Sequence, residues 1–348
     1  MQTRTLTSRT VLLIGLIAAT LLMPIAPPPT ASAQDTPALV LSLPGNYRDI
    51  ITSDTLASFE AQHNVRVHIE YSDQGFVFRI GPQTSLDERL EAAEELAARG
   101  DVVYVSQTSL TPEGTQAGYF LDLAPLANSD PGLQIADFYR PVWQSFQWDQ
   151  GIWALPIATD VILVTYDPAA FDAAGLAYPN ERWTMDDFAH AARALTTYDS
   201  AGAVLTPGLM AAAPTSTLPY LLRALAGQGF YDDSVVPNTP SFNNPKLEAL
   251  LETWHALEEE GVATTLPFRG EQEGGVASPL RIEGALGFGG RFVGPGGDEQ
   301  EDNRQAALLP GGTAGLSAEG FAVSSGTRYP ELAYALASYL TTLPDLAN

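Results

Sequence analysis

The chain contains no cysteine. That excludes disulfides, thiolate catalysis, thiolate metal ligands and a lipid-bearing cysteine at a mature N-terminus. Basic residues are scarce: 17 Lys and Arg stand against 41 Asp and Glu, a net charge of −24 over 348 residues. Such a surface repels nucleic acid and anionic membranes, and it leaves the ligand open because the field inside a cleft can differ from the global charge. The four histidines (His63, His68, His190, His255) show no metal-like spacing. There is no G-x-S-x-G elbow and no P-loop, and the glycines at 287–290 lack the strand–turn–helix order of a dinucleotide site. With 41 carboxylates no single pair stands out as a catalytic dyad. No catalytic residue, metal or cofactor is therefore expected.

A membrane-length apolar run is also missing at the N-terminus. The run at 11–23 is too short to span a bilayer comfortably. It follows Arg4 and Arg9 and precedes a Pro-rich stretch and Ala31-Ser32-Ala33, an A-x-A cleavage pattern. Residues 1–33 thus read as a secretory signal peptide. Its removal takes Arg4 and Arg9 with it, moves the net charge to −26, and places the mature chain in the periplasm or outside the cell.

What is present reads as α/β. Alternating apolar residues predict strands over 38–43, 65–71 and 101–106, with helices over 50–62 and 86–99 between them, the last stopped by Gly100. A β-α-β-α-β series implies an open, mostly parallel sheet covered by helices. Further on, a strand-like run at 152–156 stops at Pro156, Thr159-Asp160 interrupts the pattern, and 161–166 reads as a second, buried strand. Asp167-Pro168 opens a short helix that ends at Gly175, and Thr184 caps another. Trp183, just before that cap, fits a hydrophobic staple. Helices are also expected over 218–226, 245–260 and 330–341, and strands over 284–292, 306–309 and 320–324. Glu258, Glu259 and Glu260 in the last turn of the 245–260 helix have the wrong sign for the helix dipole.

The Thr159-Asp160 pair lies at the mouth of a buried strand, where α/β folds hold ligands. The turn carrying Asn46 and Tyr47, and Ser106 at the end of its strand, are placed in the same way. Tyr47, Phe76, Phe292 and Phe321 each adjoin a Gly or polar turn at a strand end, where a ring can stack on a ligand.

Three segments in order carry a family resemblance: GIWALPIATDVILVTYDPAAFDAAGLAYPNERWTMDDFAHAARALT at 151–196, IEGALGFGGRF at 282–292, and AALLPGG at 306–312 followed by AEGFAVSSGTRYPELAYALASYLTT at 318–342. Together they resemble the family 1 extracellular solute-binding proteins of ABC importers, the group that includes maltose-binding proteins. The resemblance implies a periplasmic-binding-protein-like (type II) two-lobe clamshell, each lobe a mostly parallel sheet flanked by helices. It implies lobe 1 over 34–123 plus 306–348 and lobe 2 over 124–305. The chain ends where family members add further helices, so the C-terminal part of lobe 2 is expected to be missing. The cleft residues it implies are Thr159, Asp160, Arg291, Phe292, Gly320 and Phe321, joining Asn46, Tyr47 and Ser106. Asp160 would accept from ligand hydroxyls, Arg291 would offer a planar fork of donors, and Phe292 and Phe321 would stack where the family often has Trp. The implied ligand is a sugar or similar small solute, and the implied partner is an ABC permease in the membrane, with the protein itself a monomer. The alternative role is a ligand-sensing extracellular module of a larger or partner signalling protein.

Overall fold

The computed structural model describes residues 36–72, 85–212, 214–232, 235–237, 239–265, 278–285 and 303–343. The elements below all belong to one compact unit, Pro37–Asn348. The expected signal peptide and Phe76 lie outside the described residues. No helix among the described residues is long and apolar enough to cross a membrane.

The opening β-α-β-α-β series is present. Strand β1 (Ala38–Pro44) pairs in parallel with β2 (Arg66–Ser72) on one side and β3 (Val102–Ser106) on the other. Helices α1 (Ser53–His63) and α2 (Leu86–Ala97) are the crossovers. Both start at capping boxes, Thr52 with Thr55 and Ser85 with Glu88, which satisfy N–H groups that a helix start leaves unpaired. After β3 comes a five-residue helix, α3 (Pro112–Gln116).

The expected break at Thr159-Asp160 gives way to one continuous strand of 12 residues, β4 (Leu155–Tyr166). At the usual rise it is about 40 Å long. Pro156 does not end it. The register against the neighbouring strand pairs Ala158 with Glu319 and Pro156 with Gly320, leaving Ile157 as an extra residue. A proline without an N–H is tolerated at such a bulge.

Helices α4 (Pro168–Ala174) and α5 (Met185–Leu195) follow, then strand β5 (Leu209–Ala211), α6 (Pro214–Ala226), α7 (Pro245–Glu259), and strands β6 (Ala263–Thr265), β7 (Leu280–Gly284), β8 (Gln305–Ala307) and β9 (Gly315–Val323). Helix α8 (Pro330–Leu340) comes after β9. The nine strands form one sheet in the order β6-β5-β7-β4-β9-β3-β1-β2, with β8 also paired to β4. Pairing is parallel at both ends and antiparallel where β4 and β9 meet each other and their neighbours. The expected pair of mostly parallel sheets is thus joined into one mixed sheet by two long central strands. The strand expected over 284–292 ends at Gly284, and residues 286–302 lie outside the described residues.

Two large apolar cores sit toward opposite ends of β4 and β9. The first gathers Leu39, Leu41, Phe59, Leu123, Leu155, Phe321 and Leu336; the second gathers Val164, Phe171, Phe188, Leu221, Leu250 and Trp254. A third, smaller cluster packs α2 against the other face of β3 and β9 through Leu96, Val105, Phe120, Phe146 and Ala318. Ala127, Leu133 and Ile152 belong to the first core and Leu309 to the second. The chain therefore passes between the cores along β4 and again along β9.

Local chemistry explains the second core's helices. Thr184 caps α5 through a capping box with Asp187, and the Trp183 ring meets Phe188 edge-on at 5.9 Å, the expected staple. The acidic last turn of α7 is also resolved. The Trp254 indole N–H donates to Glu258 at 2.9 Å, His255 lies 3.3 Å from Glu259, and Arg193 of α5 grips Glu260 through two nitrogens at 2.6 and 2.9 Å. These partners offset an unfavourable dipole interaction that is itself only about 0.3–1 kcal/mol.

Candidate ligand-binding site

Between the two cores, β4 and β9 present two unlike faces. Side chains alternate along a strand, so register decides which residue goes where. On one face Ala318 and Ala322 of β9 pack with Phe146 and Ala154, all buried. On the other face, half-buried Glu319 and Ser317 of β9 lie beside half-buried Asp160 of β4, which is paired with Ser317. That second face is a band of polar side chains running from one core to the other.

At its first-core end, Tyr47 and Tyr104 stand with ring centroids 5.2 Å apart. The Tyr47 hydroxyl donates to Glu319 Oε2 at 3.3 Å, and Tyr104 shares hydrogen bonds with Tyr47 and Glu319. Burial, reinforced by the Glu319 charge, pushes Tyr47 up to about 12 and Tyr104 higher still. Both phenols therefore stay protonated as donors at neutral pH and hold the Glu319 carboxylate in place. Ser106 lies opposite Glu319 in the ladder, its hydroxyl bonded to Thr108 Oγ1 at 3.0 Å and Ser109 Oγ at 3.3 Å.

At the second-core end, Tyr220 of α6 bonds the Ser317 side chain, and burial followed by the nearby Asp160 raises its pKa. Its ring lies against Gly315, where a Cβ would come within 2.8 Å of the ring. The Asp160 carboxylate lies on Gly284, where a Cβ would meet Oδ2 at 1.8 Å, and its Oδ1 accepts from the Val161 N–H at 2.8 Å. Two glycines thus make the space in which a tyrosine and a carboxylate are seated.

The structure brings some of the expected contact residues together and separates others. Asp160, Tyr47 and Ser106 belong to the polar band, and Asn46 is exposed in the 3-10 turn Gly45–Tyr47 beside it. Thr159 cannot act as a pair with Asp160, because alternation turns it to the opposite face; it is registered with Ala318 and its hydroxyl donates to the Ser317 carbonyl at 3.1 Å. Gly320 is buried where β4 and β9 close together: a Cβ there would lie 2.6 Å from the Leu155 carbonyl oxygen. Phe321 is 0% exposed in the first core, under Tyr104, so its ring cannot stack on a ligand. Arg291 and Phe292 lie outside the described residues. The residue the sequence reading misses is Glu319, one position before the expected Gly320-Phe321 pair. A lone charge in the small and apolar run from Ala318 to Val323 was the available signal. Tyr104 and Tyr220 carried none that separated them from core tyrosines.

The band offers carboxylate acceptors, phenol and hydroxyl groups that donate or accept, and aromatic faces. That set can hold a hydroxylated solute. The described residues contain no group of His, Cys, Asp and Glu that could hold a metal ion. A separate depression of about 410 Å³ between α5 and α7, lined by Asp186, His190, Arg193 and Glu252 among others, includes no residue of the sheet.

The family model described as bacterial extracellular solute-binding protein matches residues 45–343. No curated protein sequence matches the chain. Among solved structures, an ABC transporter solute-binding protein from Agrobacterium radiobacter in complex with ribitol is 19% identical, with 90% of this chain and 78% of that one covered and a TM-score of 0.59. The galacto-N-biose-/lacto-N-biose I-binding protein of an ABC transporter from Bifidobacterium longum, in complex with lacto-N-biose, is 18% identical over 90% and 77% of the two chains, TM-score 0.59. A third, UgpB from Mycobacterium tuberculosis in complex with glycerophosphocholine, is 14% identical over 86% and 73%, TM-score 0.58. At these identities the likeness is one of fold, periplasmic-binding-protein-like with helices on both sides of a large sheet. The family is one of binding proteins, and with its model spanning nearly all of the described unit, this chain belongs to the bacterial extracellular solute-binding proteins.

Proposed function

We propose that the chain is the solute-capture protein of an ABC importer, and that it holds a sugar or polyol on the polar band between its two cores. The observation that carries this reading is the Tyr47–Tyr104–Glu319 cluster facing Asp160, Ser317 and Tyr220 across the middle of the sheet. Asp160 and Glu319 sit on one face in neighbouring strands, two positions apart in register. Diagonal neighbours of that kind lie about 7–8 Å apart, a span that adjacent hydroxyls of one small solute can bridge. Ring faces such as that of Tyr220 would cover the solute's C–H groups.

The two cores act as lobes that turn about the central strands and close on the solute, delivering it to a permease in the membrane. The protein works as a monomer, exported by cleavage after residue 33, and changes nothing in the solute it carries. Support comes from family membership and from neighbours of the same fold crystallised with ribitol and lacto-N-biose.

The test is a thermal-shift panel on the mature protein with pentitols, hexitols, hexoses, disaccharides and glycerophosphocholine. A solute at 100 times its Kd adds about 2.7 kcal/mol to stability, so a true ligand raises Tm by several degrees and saturably. A well-folded protein that no sugar or polyol stabilises contradicts the proposal.

A further inference from the structure

One side-chain bond links the two halves of the molecule away from the sheet. Glu113 is on α3, which packs against α2: a Cβ on Gly114 would lie 2.8 Å from the Ala93 methyl. Tyr231 begins the small hairpin Tyr231–Asp232/Thr239–Pro240 after α6, and the preceding Phe230 packs on the second core. The Tyr231 hydroxyl donates to Glu113 Oε1 at 3.1 Å across 118 residues of sequence. Arg89 of α2 approaches the same oxygen, its Nη1 3.6 Å away, so the acceptor is held from its own side by a guanidinium. Both Glu113 and Arg89 are largely covered, with side-chain exposures of 22% and 35%. Burial and then the Glu113 charge push the Tyr231 phenol up to about 12, which keeps it a donor throughout the neutral range.

We propose that Tyr231 and Glu113 form a latch that holds the two halves closed, so that these residues set affinity and release rate without touching the solute. This rests on the reading of the two cores as lobes that turn about β4 and β9. Continuous central strands can twist but resist separation, so rotation is opposed mainly by contacts off the sheet, and this bond is one. A hydrogen bond to a charged acceptor in a partly covered site changes a two-state equilibrium by about tenfold. Removing it lowers the closed population, and apparent affinity for any solute that binds the closed form falls by a similar factor.

The absence of cysteine makes the test direct. Ala57→Cys on α1 and Ala249→Cys on α7, both exposed helical positions, take spin labels on opposite halves of the mature chain. Pulsed dipolar spectroscopy without any solute then reads the distance distribution. Tyr231→Phe, which removes only the hydroxyl, should shift the distribution toward longer distances while leaving Tm within about 2 °C. Glu113→Ala should reproduce the shift independently of how well Tyr231→Phe folds, and the double variant should add nothing to either alone. Distributions that superimpose on the parent in both variants overturn the latch. The readout needs no ligand, so failure of the solute panel would count against the transport reading and leave this result standing on its own.

Discussion

The two faces of the central strands differ in a way that their residues, taken singly, do not announce. Ala318, Gly320 and Ala322 point one way, against Phe146, and are packed dry. Ser317 and Glu319 point the other way, toward Tyr220 and the Tyr47–Tyr104 pair, and remain partly open. One residue of register separates structural packing from a candidate site. The contrast teaches that the candidate ligand surface is set by alternation against neighbouring strands more than by local sequence motif.

The sharpest way to break that contrast is to attack the packed face. Phe146 is fully buried there, so Phe146→Ala should cost about 3–5 kcal/mol in chemical denaturation, with the affinity of the folded protein unchanged. The polar face should respond in the opposite sense. Glu319→Gln and Asp160→Asn each remove a charged acceptor, so each should weaken solute binding by about 1.5–3 kcal/mol in calorimetric titration, while stability moves less than about 1 kcal/mol.

A third carboxylate, partly exposed, serves as the control for a charge that holds structure. Asp130 accepts from the Gly132 N–H at 2.8 Å and from Tyr334 and Ser338 of α8 at 2.9 and 3.2 Å. Burial works against its ionised form, but these bonds outweigh it and hold the carboxyl below its ordinary value. Asp130→Asn should therefore destabilise by about 1–2 kcal/mol and leave affinity alone. Glu88 and Asp187, the capping-box carboxylates, are lowered by their bonds to Ser85 and Thr184. A folded-state pKa below the unfolded value means that the stabilisation is present above about pH 4 and is lost as pH falls through the folded values. Tm measured from pH 6 downward should fall there, less steeply in Asp130→Asn. The smallest effect belongs to Thr159→Val. Its side chain lies on the opposite face from Asp160, so affinity should change less than about twofold, however stability responds to the lost bond to Ser317.

Helix boundaries were legible because their causes are local. Thr184 with Asp187, Asn244 with Pro245, and the left-handed stop at Gly175 can be read from a few adjacent residues. The continuity of β4 was not legible. Whether Pro156 ends a strand or sits at a bulge depends on Gly320, which allows the two backbones to approach and arrives late in the chain. The same dependence hid the joining of two sheets into one, since β9 links β4 to β3. In the candidate site, Tyr47 was legible from a strand end, whereas Asp160, expected at a strand mouth, lies inside β4. Glu319 was missed by one residue, and the Thr159-Asp160 pair was read as a unit, because pleat direction follows from pairing. The acidic end of α7 made sense only once Arg193 was seen to reach it from α5.

The central claim is that the polar face captures the solute. Its most direct measurement is calorimetric titration of the solute that gives the largest thermal shift into the parent protein and into the double variant Asp160→Asn/Glu319→Gln. Saturable one-to-one binding to the parent and at least about a hundredfold loss in the variant, at nearly unchanged Tm, is the expected result. Equal affinity in the two proteins would place the solute elsewhere and contradict the claim.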